Sequence, residues 1–180
     1  MRRLLVITTS LVLLAAGGAH AAEELDQRIE IEADVADSVV ALTVPTAWEL
    51  MSPDEGPGVP FAGTIESIFG MASCSVVGVP WPPNSTLDFM EEYYRSEDER
   101  DRWDTIDRVQ TRSGEALRLA WWEEINGVTY RRASYYLHRS NAGSITQYVL
   151  LCHAPDIGTI VPDDDWLHIA ETLEIIEVGP

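Results

Sequence analysis

The side chains that could do covalent chemistry in this chain are its two cysteines. Cys74 and Cys152 each lie in an apolar run with the character of a β-strand. An even cysteine count predicts a disulfide if the chain is exported, and two buried free thiols are the alternative. A nucleophilic cysteine would need an exposed thiol with a lowered pKa, which the neighbouring valines and leucines disfavour. We therefore expect a disulfide between Cys74 and Cys152.

The histidines and aspartates do not predict a metal site. Zinc needs three or four converging ligands, and the strand pattern below sets His138 and His153 about nine or ten residue pairs apart, at roughly 3.3 Å each. The run Asp163–Asp165, with Asp156, lacks the alternating spacing of a calcium loop, so we interpret it as a helix cap. The sequence also contains no nucleophile elbow, zinc-protease motif, phosphate-binding glycine loop or Cys-x-x-Cys pair. We predict no catalytic residue, no metal and no cofactor.

Aromatic and arginine side chains are the remaining candidates for a binding site. Strand pairing sets Trp122 opposite Arg131 and Trp121 opposite Arg132, so each indole could stack on a guanidinium. Trp81 lies among prolines at the end of an earlier strand. These five residues could bind a ligand, and the alternative is that covering helices pack on them.

Two consecutive β-hairpins between Gly114 and Ala154 position most of these side chains. The predicted strands and turns are Glu115–Ile125, Asn126-Gly127, Val128–Arg139, Ser140–Gly143 and Ser144–His153. An Asn-Gly turn is a strong hairpin signal because both residues must adopt positive φ, and it sets Ile125 opposite Val128. Leu117 then lies opposite Tyr136. Both faces of these strands are apolar, so other elements must cover each face.

The rest of the chain predicts further strands, two helices and one long loop. The strands are Arg28–Ala33, Ser38–Pro45, Thr64–Phe69, Ser73–Val79 and Ile106–Arg112. Leu87–Tyr94 predicts a helix with Ser85 or Thr86 as its N-cap, and Trp166–Leu173 predicts a second one. Three prolines and three glycines mark Ser52–Gly63 as a loop. This order predicts an α+β domain: an antiparallel β-sheet with a C-terminal three-stranded meander, covered by helices.

The N-terminus predicts export. Arg2 and Arg3, the apolar run Leu4–Gly18 and the small residues ending at Ala21 form the three parts of a secretory signal peptide. The apolar run is short for a transmembrane segment, and we expect no membrane span. We predict a signal peptide over residues 1–21 and a single mature domain over residues 22–180, located in the periplasm or secreted.

The chain is strongly acidic. It contains 30 acidic residues and 12 basic ones, all of them arginine, and removal of Arg2 and Arg3 takes the formal charge from −18 to −20. A chain of this charge would repel nucleic acid and anionic membranes. The simplest explanation of the charge is a solvated acidic surface, and the alternative is an acidic face made for a basic partner. The partner we expect is an envelope or secreted protein.

The order of elements resembles the PsbP-like fold. The matching features are Val44–Trp48, which reads Val-Pro-x-x-Trp, the helix Leu87–Tyr94, the strand start Gly114–Ala116, and a short closing helix that ends at Leu173–Ile176. The resemblance covers most of residues 39–176 and implies an α/β/α sandwich. Proteins of this fold include a photosystem II subunit and many exported bacterial proteins, and they serve mainly as accessory or binding modules. The resemblance therefore implies no catalytic residues here.

We accordingly expect an exported, non-enzymatic module that recognises a protein or envelope component. The alternatives are a small-ligand carrier with an aromatic pocket beneath the loop Ser52–Gly63, and a hydrolase with an unrecognised site. A pocket lined by Trp81, Trp121 or Trp122 would favour the carrier. A buried histidine–carboxylate pair beside a nucleophile would favour the hydrolase, and a flat or acidic surface would favour the protein-binding module.

Overall fold

The computed structural model describes residues 26–33, 38–51, 61–67, 72–141, 144–156 and 163–177. These residues form ten strands, two α-helices and one short 3₁₀ turn, Arg100–Arg102. The strands are β1 (Asp26–Ala33), β2 (Ser38–Pro45), β3 (Trp48–Met51), β4 (Phe61–Ser67), β5 (Ser73–Trp81), β6 (Thr105–Thr111), β7 (Gly114–Ile125), β8 (Val128–Asn141), β9 (Ser144–Pro155) and β10 (Glu174–Glu177). The helices are α1 (Leu87–Tyr94) and α2 (Asp163–Glu171). No helix of the described ranges is long and apolar enough to cross a membrane.

The strands form two sheets. Seven strands build the larger sheet in the order β3-β4-β5-β9-β8-β7-β6, and β1-β2-β10 build the smaller one. Every strand pair is antiparallel. The predicted class, antiparallel sheet with helices, is confirmed at this level.

The register of the central hairpin is as predicted. Ile125 pairs with Val128 and Leu117 with Tyr136 across β7 and β8. The turn residues Asn126 and Gly127 have φ of 53° and 79°, so both lie in the left-handed region that an Asn-Gly hairpin turn requires. This turn therefore decides which side chains of β7 and β8 share a face.

The two faces of the larger sheet belong to two separate clusters of buried side chains. One face presents Ala116, Ala120 and Tyr135 of β7 and β8, and it packs with α2 and the smaller sheet into the main core. Trp166 of α2 is fully buried there. The other face presents Leu117 and Leu119 and packs with α1 in a second cluster.

Several predicted boundaries are wrong, mostly where edge strands are short. The predicted loop Ser52–Gly63 ends earlier, because β4 starts at Phe61 and extends only to Ser67, while residues 52–60 lie outside the described ranges. The strand β3, which pairs with β4 at the sheet edge, was not predicted. The smaller sheet was not predicted either: Glu174–Glu177 is a strand on β2, not part of a closing helix.

The second helix begins earlier than predicted. Asp163–Asp165 form its first turn instead of preceding it, and the helix ends at Glu171. Acidic side chains in a first turn are favourable because they face the positive end of the helix dipole. The predicted inward residues Trp166, Ile169, Ala170 and Leu173 are all buried.

Cys74 and Cys152 lie directly opposite each other on β5 and β9. Their sulfur atoms are 2.04 Å apart, so the cysteines are paired as predicted. The pair joins two neighbouring strands in the middle of the larger sheet across a sequence separation of 78 residues. The predicted signal peptide, residues 1–21, lies outside the described ranges.

The hairpin turn gives a direct test of this register. Gly127→Val should lower the free energy of unfolding by at least about 1–2 kcal/mol, because a β-branched residue is forced to positive φ. A Cβ atom at this position would meet no atom within 4 Å, so crowding adds nothing to the cost. Urea denaturation measures the change. Gly127→Asn is the matched control, since asparagine tolerates positive φ, and equal losses in the two variants would contradict the turn assignment.

Candidate functional site: an aromatic groove beside the first helix

Helix α1 is short and is capped by its own sequence. Thr86 is the N-cap residue, and its side-chain oxygen accepts a hydrogen bond of 3.2 Å from the backbone N–H of Phe89. The preceding prolines hold the chain extended up to this point. Met90 is buried against the sheet, while Phe89 and Tyr93 are 57% and 52% exposed. The helix therefore covers the sheet with one side and presents two aromatic rings beside that contact.

A groove of about 430 Å³ lies between α1 and the larger sheet. It is open to solvent and its lining is mainly apolar. The lining residues are Trp81, Ser85, Phe89, Met90, Tyr93, Tyr94 and Tyr136. Five of these seven side chains are aromatic, which makes the groove a surface for apolar or cationic groups.

A row of ring contacts continues from the groove along the sheet. Tyr94 stacks on Tyr136 at 6.5 Å between ring centroids and meets Trp103 edge to face at 5.2 Å. Trp103 in turn meets Trp121 at 5.0 Å. Burial raises the pKa of Tyr94 to about 12, and it also raises the pKa of Tyr136. The phenols are therefore neutral at physiological pH, and the groove wall carries no charge from them.

A histidine and a buried glutamine support the floor of the groove. The ring centroids of His138 and Trp81 lie 6.1 Å apart, and the side-chain amide nitrogen of Gln147 is 2.9 Å from His138 Nε2. The same amide nitrogen donates to the sulfur of Met90 at 3.4 Å. Burial, helped by the charge of Arg108, lowers the pKa of His138. The imidazole is therefore neutral at pH 7, and Nε2 accepts the amide proton.

Salt bridges fix α1 on the flank away from the groove. Arg108 of β6 contacts Asp88 and Glu91 at 2.7 Å each and Glu115 at 3.2 Å. Arg95 contacts the same Glu91 at 2.9 Å. These arginines lower the pKa of Glu91, Arg108 most strongly. The helix is thus held against β6 by ionic contacts, which leaves its aromatic flank free of them.

The five candidates from the sequence do not converge on one site. Trp81 lines the groove, and Trp121 belongs to the aromatic row next to it. Trp122 and Arg131 stack as predicted, with 5.2 Å from the guanidinium to the indole centroid, but they lie on the opposite face of the sheet. Arg132 lies opposite Trp121 as predicted and makes its ion pair, at 2.7 Å, with Glu123.

Arg131 has a structural role. It is only 8% exposed and contacts Asp163 of α2 at 3.1 Å and Asp104 at 2.5 Å. A buried guanidinium is tolerable only when it is paired, and these carboxylates pair it. The contact ties the first turn of α2 to the sheet, so Arg131 positions the helix and does not line the groove.

Six of the seven groove residues were not among the predicted candidates, namely Ser85, Phe89, Met90, Tyr93, Tyr94 and Tyr136. Phe89 and Tyr93 recur at a helical spacing of four residues, one step outside the stripe that Leu87 and Tyr94 share. Two aromatic side chains beyond the width that a helix buries are a signal for an exposed aromatic flank. That signal could have identified the groove.

The hydrolase alternative gains little from the histidines. The hydroxyl of Ser73 lies 3.3 Å from Nε2 and 3.4 Å from Nδ1 of His153. A catalytic triad needs one ring nitrogen on the nucleophile and the other on a carboxylate, whereas here both face one hydroxyl.

The histidines do not form a metal site either. His138 and His153 lie six residue pairs apart along β8, not nine or ten, because His153 pairs with Arg132. Among the described residues, no group of three or more histidine, cysteine or acidic side chains is arranged to hold a metal ion.

The fold is that of PsbP-like proteins. LpqN of Mycobacterium tuberculosis, described as involved in cell envelope biogenesis, matches with a TM-score of 0.59 at 17% identity, over 84% of this chain and 91% of LpqN. The PsbP protein CyanoP of Synechocystis sp. PCC 6803 matches with a TM-score of 0.52 at 12% identity, over 91% of this chain and 98% of CyanoP. A Bacteroides thetaiotaomicron protein matches with a TM-score of 0.50 at 10% identity, over 75% of this chain and 44% of that protein. No protein-family model matches the chain, and no curated protein matches it in sequence.

These solved structures support the predicted resemblance to a PsbP-like fold. At identities below one fifth they show the fold alone.

The neutral histidine predicts how stability depends on pH. The folded pKa of His138 lies below its usual value of about 6.5, so the unfolded chain takes up a proton first. The contribution of His138 to the free energy of unfolding is complete above about pH 6.5 and is lost as the pH falls toward the folded pKa. In urea denaturation, the unaltered protein should lose at most about 1 kcal/mol of its free energy of unfolding through His138 as the pH falls from 7.5 to 5.5. His138→Gln should abolish this loss.

Two features make this measurement specific. The lowered pKa of Glu91 affects stability only below about pH 4.5, outside the window. The pKa of His153 is lowered too, by burial and by Arg132, so His153→Gln serves as the matched variant. An unchanged pH dependence in the double variant would contradict the assignment.

Proposed function

We propose that this chain is an exported, non-enzymatic binding module that recognises a protein or another component of the cell envelope through the groove beside α1. The observation that carries the proposal is the groove itself, with two aromatic rings of α1 more than half exposed at its edge. Exposed aromatic side chains of this kind are the commonest anchors of protein interfaces. The module is then a PsbP-like α/β/α sandwich in which the meander β7-β8-β9 forms the middle layer.

Three further observations support export to the envelope. The paired Cys74 and Cys152 suit an oxidising compartment. The N-terminal residues have the pattern of a secretory signal peptide. A structurally similar protein, LpqN, is described as involved in cell envelope biogenesis.

A small-ligand carrier is the second candidate, and a specific observation favours it. Trp81 lines the groove, and a groove of about 430 Å³ is within the range of about 300–1,000 Å³ that small molecules occupy. The open mouth and the exposed rings favour a protein partner, since a carrier would bury most of the surface of its ligand.

Affinity capture from the native envelope with matched variants tests the proposal. Phe89→Ser combined with Tyr93→Ser should reduce the captured partner at least about tenfold, since each aromatic anchor typically contributes 2 kcal/mol or more. Ile125→Ser combined with Val128→Ser is the control, because these side chains are 36% and 38% exposed at the hairpin turn, away from α1. Thermal melting of both variants shows that each remains folded.

The outcomes separate the candidates. The double variant of Phe89 and Tyr93 is called the groove variant below. Equal loss of capture in the groove variant and in the control variant would contradict a role for the groove. Recovery of a small molecule with no protein, lost only in the groove variant, would favour the carrier. A hydrolase screen runs alongside, and turnover that Ser73→Ala or His153→Ala abolishes would contradict a non-enzymatic module.

A further inference from the structure

Negative charge is concentrated on α1 and the turn that follows it. Between Ser85 and Asp104 the chain has eight acidic residues and three arginines. Five of the acidic residues form ion pairs, namely Asp88, Glu91, Glu99, Asp101 and Asp104. The other three have no salt-bridge partner in the described part of the chain and are exposed: Glu92, Glu97 and Asp98. Glu92 is three residues from Phe89 on the helix, so the two side chains are neighbours.

The groove itself contains no positive charge. None of its seven lining residues is an arginine or a histidine. Arg95 and Arg108 are engaged by carboxylates on the other flank of α1, and the nearby His138 is neutral. A phosphate or carboxylate group would therefore meet no cation among the lining residues and would be disfavoured by the net negative charge of α1 and the turn after it.

Aromatic faces and free carboxylates together suit an organic cation. Indole, phenol and phenyl rings attract a guanidinium or ammonium group placed over their faces, most strongly for tryptophan. Arginine and lysine also carry an aliphatic arm that packs on apolar surface while the charged head reaches toward water. In this groove the arm would lie on the rings and the head would approach the carboxylate of Glu92.

We infer that the groove binds an arginine or lysine side chain that a basic segment of a partner protein inserts between α1 and the sheet. This inference rests on the proposed function and names the chemistry of its partner. The formal charge of the chain, −18 over 180 residues with no lysine, steers such a segment toward the molecule at low ionic strength.

The test compares an arginine peptide with its neutral isostere. Isothermal titration calorimetry at low salt measures binding of a (Gly-Arg)₄ peptide and of the same peptide with citrulline at each arginine. We expect the arginine peptide to bind at least about fivefold more tightly, in line with a cation–π contact plus free carboxylates. Phe89→Leu should weaken arginine-peptide binding about threefold, because leucine fills the space without offering a ring face.

A matched pair of charge variants separates local from general electrostatics. Glu92→Gln and Glu124→Gln each remove one exposed carboxylate without a salt-bridge partner among the described residues, the first beside the groove and the second near the hairpin turn. Glu92→Gln should weaken binding of the arginine peptide about twofold, and Glu124→Gln should leave it nearly unchanged. Equal effects of the two variants would overturn a site at the groove.

The remaining outcomes distinguish this inference from the proposed function. Equal affinity for the citrulline peptide, with binding of both peptides still weakened in Phe89→Leu, would overturn the cationic partner and leave the groove as a binding site. No effect of Phe89→Leu on either peptide, together with unchanged envelope capture by the groove variant, would overturn both. Arginine amide, the same cation without a peptide, should bind at least about tenfold more weakly than the peptide; equal affinity would overturn the assignment to a protein segment.

Discussion

The structure depends on one constraint: the long central strands are apolar on both faces, so each face must be covered. The strand β8 has 14 residues and would span about 46 Å, whereas α1 has eight residues and spans about 12 Å. One short helix cannot cover a face of that length. The side chains at the limit of its cover, Tyr136 and Trp81 among them, therefore line an open groove. The candidate site is a direct result of this difference in length.

The opposite face meets the same constraint differently. Ala116, Ala120 and Ala133 lie in the same cluster as α2 and the smaller sheet, and Trp166 of α2 is completely buried there. The smaller sheet closes the rest of that face, and Arg131 ties the start of α2 to β8 through Asp163. Within the described ranges no comparable closure acts on the α1 side, where Arg108 secures the flank toward β6. The described part of the protein thus has one closed face and one that remains partly open.

Local signals in the sequence predict much of the fold. The Asn126-Gly127 turn predicts the register of β7 and β8, and the Thr86 cap predicts the start of α1. The smaller sheet could not be predicted this way, because β10 pairs with β2 across more than 130 residues and only tertiary contacts select that pairing. The site was predicted in part: Trp81 was a candidate, but Trp122 and Arg131 share the opposite face. Residue types and strand register predict which side chains stack on each other. Which face of the sheet remains open depends instead on how far α1 extends, and the sequence pattern does not predict that.

The central claim, that ligands bind in the groove beside α1, can be tested on a single methyl group. Met90 is buried on the groove wall, whereas Met51 is 40% exposed on β3 at the far edge of the larger sheet. A sample labelled with ¹³C at the methionine methyl groups would be titrated with fractions of the native envelope and observed by NMR. The account predicts that the Met90 signal shifts on binding while the Met51 signal stays in place. A bound state in which Met51 shifts and Met90 does not would contradict it.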